Sequence, residues 1–96
     1  MRVMAKITTP TEAGNKAIQD GTMGKLMQAA AERWHPESMY FTTFDGQRTA
    51  FMVFDMADTS DMPVFAEPFF EGLDALVELS PVMNTQDLQK GLSQLS

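Results

Sequence analysis

Trp34, His35 and Tyr40 are the only tryptophan, histidine and tyrosine of this chain, and they lie in one short segment, Trp34-His35-Pro36-Glu37-Ser38-Met39-Tyr40. An imidazole titrates near neutrality, so His35 is the natural acid or base here. It stands at the predicted end of a helix, where an imidazolium also interacts well with the helix dipole. The plainer reading is a half-exposed capping histidine. Together the two rings and the imidazole form the best small-molecule constellation in the sequence. The plainer reading of this set puts Trp34 in the core and leaves Tyr40 as an ordinary strand residue. A lone histidine without cysteine or a metal-ligand spacing makes no metal site. A phosphate-binding loop, a nucleophile elbow and the dinucleotide-binding glycines are missing, so no cofactor is implied. Nine methionines in 96 residues supply adaptable apolar surface, either for a pliable pocket or for core and interface packing.

Composition narrows the partners. The net charge is −6 and the pI near 4.5. An acidic chain gains nothing from counterion release on a phosphate backbone, which argues against nucleic acid. The run Arg48-Thr49-Ala50-Phe51-Met52-Val53-Phe54 partly matches the strand on which RNA-recognition domains stack bases. Thr49 stands where a ring is expected, however, and the first strand has no ring. No apolar run is long enough to span a membrane, and the N-terminus lacks the apolar centre of a signal peptide. Cytoplasm is the expected compartment.

The elements that must position these residues follow from periodicity and turn chemistry. Residues 2–8 alternate as a strand, with Val3, Ala5 and Ile7 opposed to Met4, Lys6 and Thr8. Thr9-Pro10-Thr11-Glu12 reads as a capping box that starts a helix, which runs to about Trp34 before His35-Pro36. Gly14, Gly21 and Gly24 weaken that helix. They either break it near Asp20-Gly21 or let it pack closely on the sheet, and close packing is the favoured expectation. Asp45-Gly46 joins strands 38–44 and 48–56 in a hairpin. A second helix starts among Asp58-Thr59-Ser60-Asp61 and ends at Gly72; Pro68 should kink or split it. Residues 75–82 form a last strand, with Pro81 suited to an edge or a strand end. Asn84-Thr85 caps a tail helix over 85–95 with Leu88, Leu92 and Leu95 in a stripe.

This β-α-β-β-α-β order defines one α+β, ferredoxin-like domain over residues 1–96. Its expected sheet is four-stranded and antiparallel, in the order 4-1-3-2, with two helices on one face. The third strand is apolar on both faces, so both faces should be covered. The far face would hold Met4, Lys6, Phe51, Val53, Asp55, Leu76 and Glu78. A second copy packed sheet to sheet is the economical cover. Lys6 should then pair with Asp55 or Glu78, since unpaired charges are costly once buried.

With this element order, the two-faced third strand, Glu67-Pro68-Phe69-Phe70 and the ending Val77-Glu78-Leu79-Ser80-Pro81-Val82-Met83, the chain resembles the dimeric α/β-barrel superfamily over residues 2–83. Among its relatives are antibiotic-biosynthesis monooxygenases and stress-responsive barrel proteins, and the closest likeness is to small uncharacterised bacterial members. The resemblance implies a homodimer with a small cavity, not a particular reaction. Cofactor-free monooxygenases of this superfamily hold polycyclic substrates with aromatic and amide groups, and Asn15, Trp34 and Tyr40 are of those types. Three functions follow as expectations. The first is a homodimer that binds a small apolar or aromatic metabolite. The second is a cofactor-independent monooxygenase or isomerase with Trp34, His35 and Tyr40 near its pocket. The third is a regulatory module that binds an effector between protomers.

Overall fold

The computed structural model describes residues 1–95. These residues form four strands and four helices, in the order β1 (Arg2–Thr9), α1 (Thr11–Asp20), α2 (Thr22–Trp34), β2 (Ser38–Phe44), β3 (Gln47–Asp55), α3 (Asp61–Leu73), β4 (Leu76–Pro81) and α4 (Thr85–Leu92). The strands make one antiparallel sheet in the order β2-β3-β1-β4. From the other edge the same sheet reads 4-1-3-2. Both outer strands have a free edge, so one chain makes an open sheet and not a barrel. Pro81, without a backbone donor, ends the edge strand β4.

Registers follow from the hairpin. Asp45 and Gly46 both take positive φ, 53° and 75°, the conformation of a tight two-residue turn. Phe44 therefore pairs with Gln47, and counting back pairs Phe41 with Ala50 and Tyr40 with Phe51. Alternate residues of the central strands point into the core. Val3, Ala5, Ile7, Ala50, Met52 and Phe54 are buried together with Ala17 of α1, Ala30 of α2 and Phe65, Phe69 and Leu73 of α3. Phe65 stacks on Phe54 at 4.7 Å between ring centroids, and Trp34 meets both rings at 5.3 and 5.6 Å. These packed rings fix α2 and α3 against the sheet.

Three local expectations fail, each for a physical reason. The single first helix is two helices. Gly21 takes φ 83°, a left-handed conformation that glycine adopts without a Cβ penalty, and the chain turns there. The Asp20 carboxylate accepts a 2.9 Å bond from the Thr22 amide across the turn. Its hydrogen bonds from Thr22 hold its pKa below the usual carboxylate value. Only Gly14 makes the close approach expected of these glycines: a methyl there would meet Arg48 and Thr9. The second failure is the capping box at Thr9. Pro10 is the N-cap and makes no side-chain cap bond, because Thr9 stays in the strand opposite Arg48 with its side chain buried. The third is the interruption at Pro68, since α3 runs through it unbroken from Asp61 to Leu73. Phe65 and Phe69, buried on either side of Pro68, hold the helix against the loss of one backbone bond. The helix ends one residue beyond Gly72, where Asp74 takes φ 51° and its amide reaches the Phe69 and Phe70 carbonyls.

The tail helix forms with a full capping box, in which Asn84 and Asp87 exchange side-chain-to-backbone bonds of 2.8 and 3.2 Å. It buries none of its residues, and Leu88 and Leu92 are exposed along it. No helix of the described residues is long and apolar enough to cross a membrane.

Candidate functional site

β2 is the least covered strand of the sheet. On its core-side face Phe41 is 62% exposed, and on its other face Tyr40 is 70% exposed. Two surfaces result, one on each side of the sheet.

On the core side, a groove of about 180 Å³ opens between the β2–β3 ladder and the two halves of the broken helix. Ile7 and Ala50 form its floor, Phe41 one wall, and Ile18, Met23 and Met27 the other. Its lining is almost wholly apolar carbon. A cavity of about 150 Å³ lined by Leu, Ile and Phe holds a benzene ring, so this groove is sized for one ring or a short chain. The one charged residue in its lining is Arg48. Its guanidinium donates to the Asn15 side-chain oxygen at 2.9 Å and to the Thr11 carbonyl at 3.4 Å. Both acceptors are neutral. Among the described residues Arg48 has no carboxylate partner, and neither do Lys16, Lys25, Arg33 and Lys90, whereas Arg2 pairs with Glu37 and Asp87, and Lys6 with Glu78.

On the other side, the pairing register sets Lys6 between Phe51 and Glu78, Met4 between Val53 and Ser80, Arg2 opposite Asp55, and Thr8 opposite Leu76. Met4, Lys6, Phe51, Val53, Asp55, Leu76 and Glu78 thus share one sheet face, together with Tyr40 and Phe44 of β2. Phe44 meets Phe51 edge-on at 6.1 Å, and the Lys6 ammonium lies 3.7 Å from the Phe44 ring centre. That ammonium also sits 3.7 Å from the Glu78 carboxylate. The pair joins adjacent strands within one chain. Asp55 is held instead by the N-terminal ammonium of Met1 at 2.8 Å.

The aromatic constellation is dispersed. Trp34 packs on Phe54 and Phe65 on the core side, while Tyr40 pairs with Phe51 and points to the other face. The sheet separates the two rings. His35 caps α2 with φ 46°, its amide bonded to the Ala31 carbonyl, and is exposed. Asn15 is the one member of the candidate set that reaches the groove region, by holding Arg48. Arg48 itself escaped the reading from sequence, which weighed its strand only for RNA. The signal was present: the hairpin register puts Arg48 two residues from Ala50 on the core-side face, at the level of the first helix. Among the described residues, no group of acidic or histidine side chains can hold a metal ion.

No protein-family model matches this chain, and no curated protein is significantly similar to it.

Proposed function

We propose that this protein is a homodimer of the α/β-barrel type that binds a small apolar or aromatic metabolite. The exposure of β2 on both faces carries the reading. Tyr40 and Phe44 beside Phe51 make an aromatic surface that a second sheet covers economically. Lys6 and Glu78 already neutralise each other there, which lowers the cost of taking them out of water. On the core side, the same uncovered strand leaves the groove at Phe41 open for a ligand.

Light scattering at micromolar concentration tests the assembly. The expected mass is twice the 10.7 kDa of the chain. Tyr40→Glu places a charge on a side chain already in water, so the protomer keeps its fold and the dimer dissociates. A native chain that stays monomeric defeats the proposal. So does a Tyr40→Glu variant that dimerises as tightly as the native chain.

A further inference from the structure

We infer that the groove selects a carboxylate, and that its ligand is an amphipathic acid with one ring or a short chain whose carboxylate is bound by Arg48. This rests on the ligand-binding reading above and narrows it to a chemical class.

The argument starts from charge. The chain is acidic, with 13 acidic residues to 7 Lys and Arg, yet Arg48, like Lys16, Lys25, Arg33 and Lys90, has no carboxylate within ion-pair distance among the described residues; of these five cations it is the one that lines the groove. Its two recorded bonds go to neutral oxygens, on Asn15 and Thr11. A guanidinium carries five N–H donors in a flat fork that matches a carboxylate in two parallel bonds. The bonds to α1 hold that fork in place, and Gly14 makes room for it, since a methyl there would fall 2.6 Å from a guanidinium nitrogen. A preorganised guanidinium loses little freedom when it binds.

Shape supplies the rest. Besides Arg48, the threonines Thr9, Thr42 and Thr49 line the groove with Ile18, Met23, Met27 and Phe41, yet almost all of the surface they offer a ligand is apolar carbon. A molecule with one charged end and an otherwise apolar body satisfies both parts of the site. A sugar, a nucleotide or a free amino acid would bury unpaired polar groups against this wall. An amine would place a cation beside Arg48.

The test uses the full-length chain and a matched pair of probes, 3-phenylpropanoate and the neutral 3-phenylpropanol. Binding is read from the methyl resonances of Met23 and Met27, assigned by Met→Leu replacement. The acid should bind at least about tenfold more tightly than the alcohol, the gain expected of one charge-assisted contact. Arg48→Met should remove that preference and leave alcohol binding within about threefold. Arg48→Lys should keep part of the preference. Phe41→Asp, at an exposed wall position that the fold does not need, should abolish binding of both probes.

Equal affinity for acid and alcohol in the native chain overturns the carboxylate inference and leaves the apolar-ligand reading standing. Failure of both probes to move either methyl overturns the two together. Methyl shifts that depend on protein concentration and not on probe would show a second copy in the groove, which also overturns the inference. If Arg48→Met does not fold, the comparison of acid with alcohol in the native chain and in Arg48→Lys still decides it.

Discussion

Two glycines three positions apart should respond to the same substitution with opposite signs. Gly21 sits at φ 83° between α1 and α2, with nothing within 4 Å of where a Cβ would stand. Crowding is therefore excluded, and backbone strain alone decides. Holding alanine in a left-handed conformation costs about 1–2 kcal/mol. Alanine also restricts the unfolded chain, which returns about 0.4–1 kcal/mol. The net loss is about 1 kcal/mol for Gly21→Ala. Gly24 lies inside the first turn of α2 with φ outside the left-handed region and open space around it. Replacing it with alanine removes a helix penalty of up to about 1 kcal/mol. In a domain of this size 1 kcal/mol corresponds to about 4–8 °C in melting temperature. Thermal melts followed by circular dichroism, at one protein concentration because dimerisation would shift the midpoint, should thus move down by that amount for Gly21→Ala and up by as much for Gly24→Ala. Gly21→Asn should fall between native and Gly21→Ala, because asparagine tolerates this conformation better. Stabilisation by Gly21→Ala would refute the reasoning. It would mean that the chain prefers one continuous helix and that the turn at Gly21 is not its ground state.

Pro68→Ala should stabilise the protein by about 2 kcal/mol. Proline costs about 3 kcal/mol in a helix interior, less about 0.4–1 kcal/mol for the stiffness it gives the unfolded chain; urea unfolding checks this, and a loss would show that the ring's place beside Trp34 and Val64 outweighs the missing backbone bond. Asp58 accepts bonds from the Ser60 amide and hydroxyl at the start of α3, and those bonds lower its pKa below the ordinary 3.8. A depressed folded-state pKa contributes stability that is present above the unfolded value and lost as pH falls through the folded one. The native chain should therefore exceed Asp58→Ala in urea midpoint near neutrality, and the difference should shrink as pH drops below the ordinary carboxylate range; a difference that grows in acid would contradict the assignment.

Local chemistry made some parts of this molecule legible from sequence. Asp45-Gly46 dictates its turn, because few other residue pairs accept two positive φ angles, and the strand registers follow by counting. The parity of Lys6, Phe51 and Glu78 then sets them in one row across three strands. Asn84 announces the tail helix for the same reason: its capping bond is local, and the structure adds the reciprocal bond from Asp87. Two of the failures arise where a distant contact overrules a local rule. Thr9 has the right type and spacing for a cap, but its pairing with Arg48 keeps it in the strand. Pro68 should kink or split α3, and the split does not occur, because buried Phe65 and Phe69 hold the helix together. Gly14, Gly21 and Gly24 are alike in sequence and differ in use. Gly14 admits the Arg48 side chain, Gly21 turns the chain, and Gly24 does neither. Trp34 and Tyr40 are neighbours in the chain, but the sheet lies between them.

The turn at Gly21 ties the fold to the candidate site. At about 100° per residue, Ile18 and Met27 would fall on opposite sides of a continuous helix, and Ile18 and Met23 would be about 140° apart. Such a helix could turn only one of these groups toward the sheet. The break lets α1 present Ile18 and α2 present Met23 and Met27 to the same groove. It also frees α1 to bring Thr11 and Asn15 to Arg48, while α2 follows its own direction to seat Trp34 on Phe54 and Phe65. One left-handed residue therefore produces both the apolar wall and the held cation. The glycine that most weakens the helix as a helix is the one that shapes the pocket, and stability and ligand affinity should fall together when Gly21 alone is replaced.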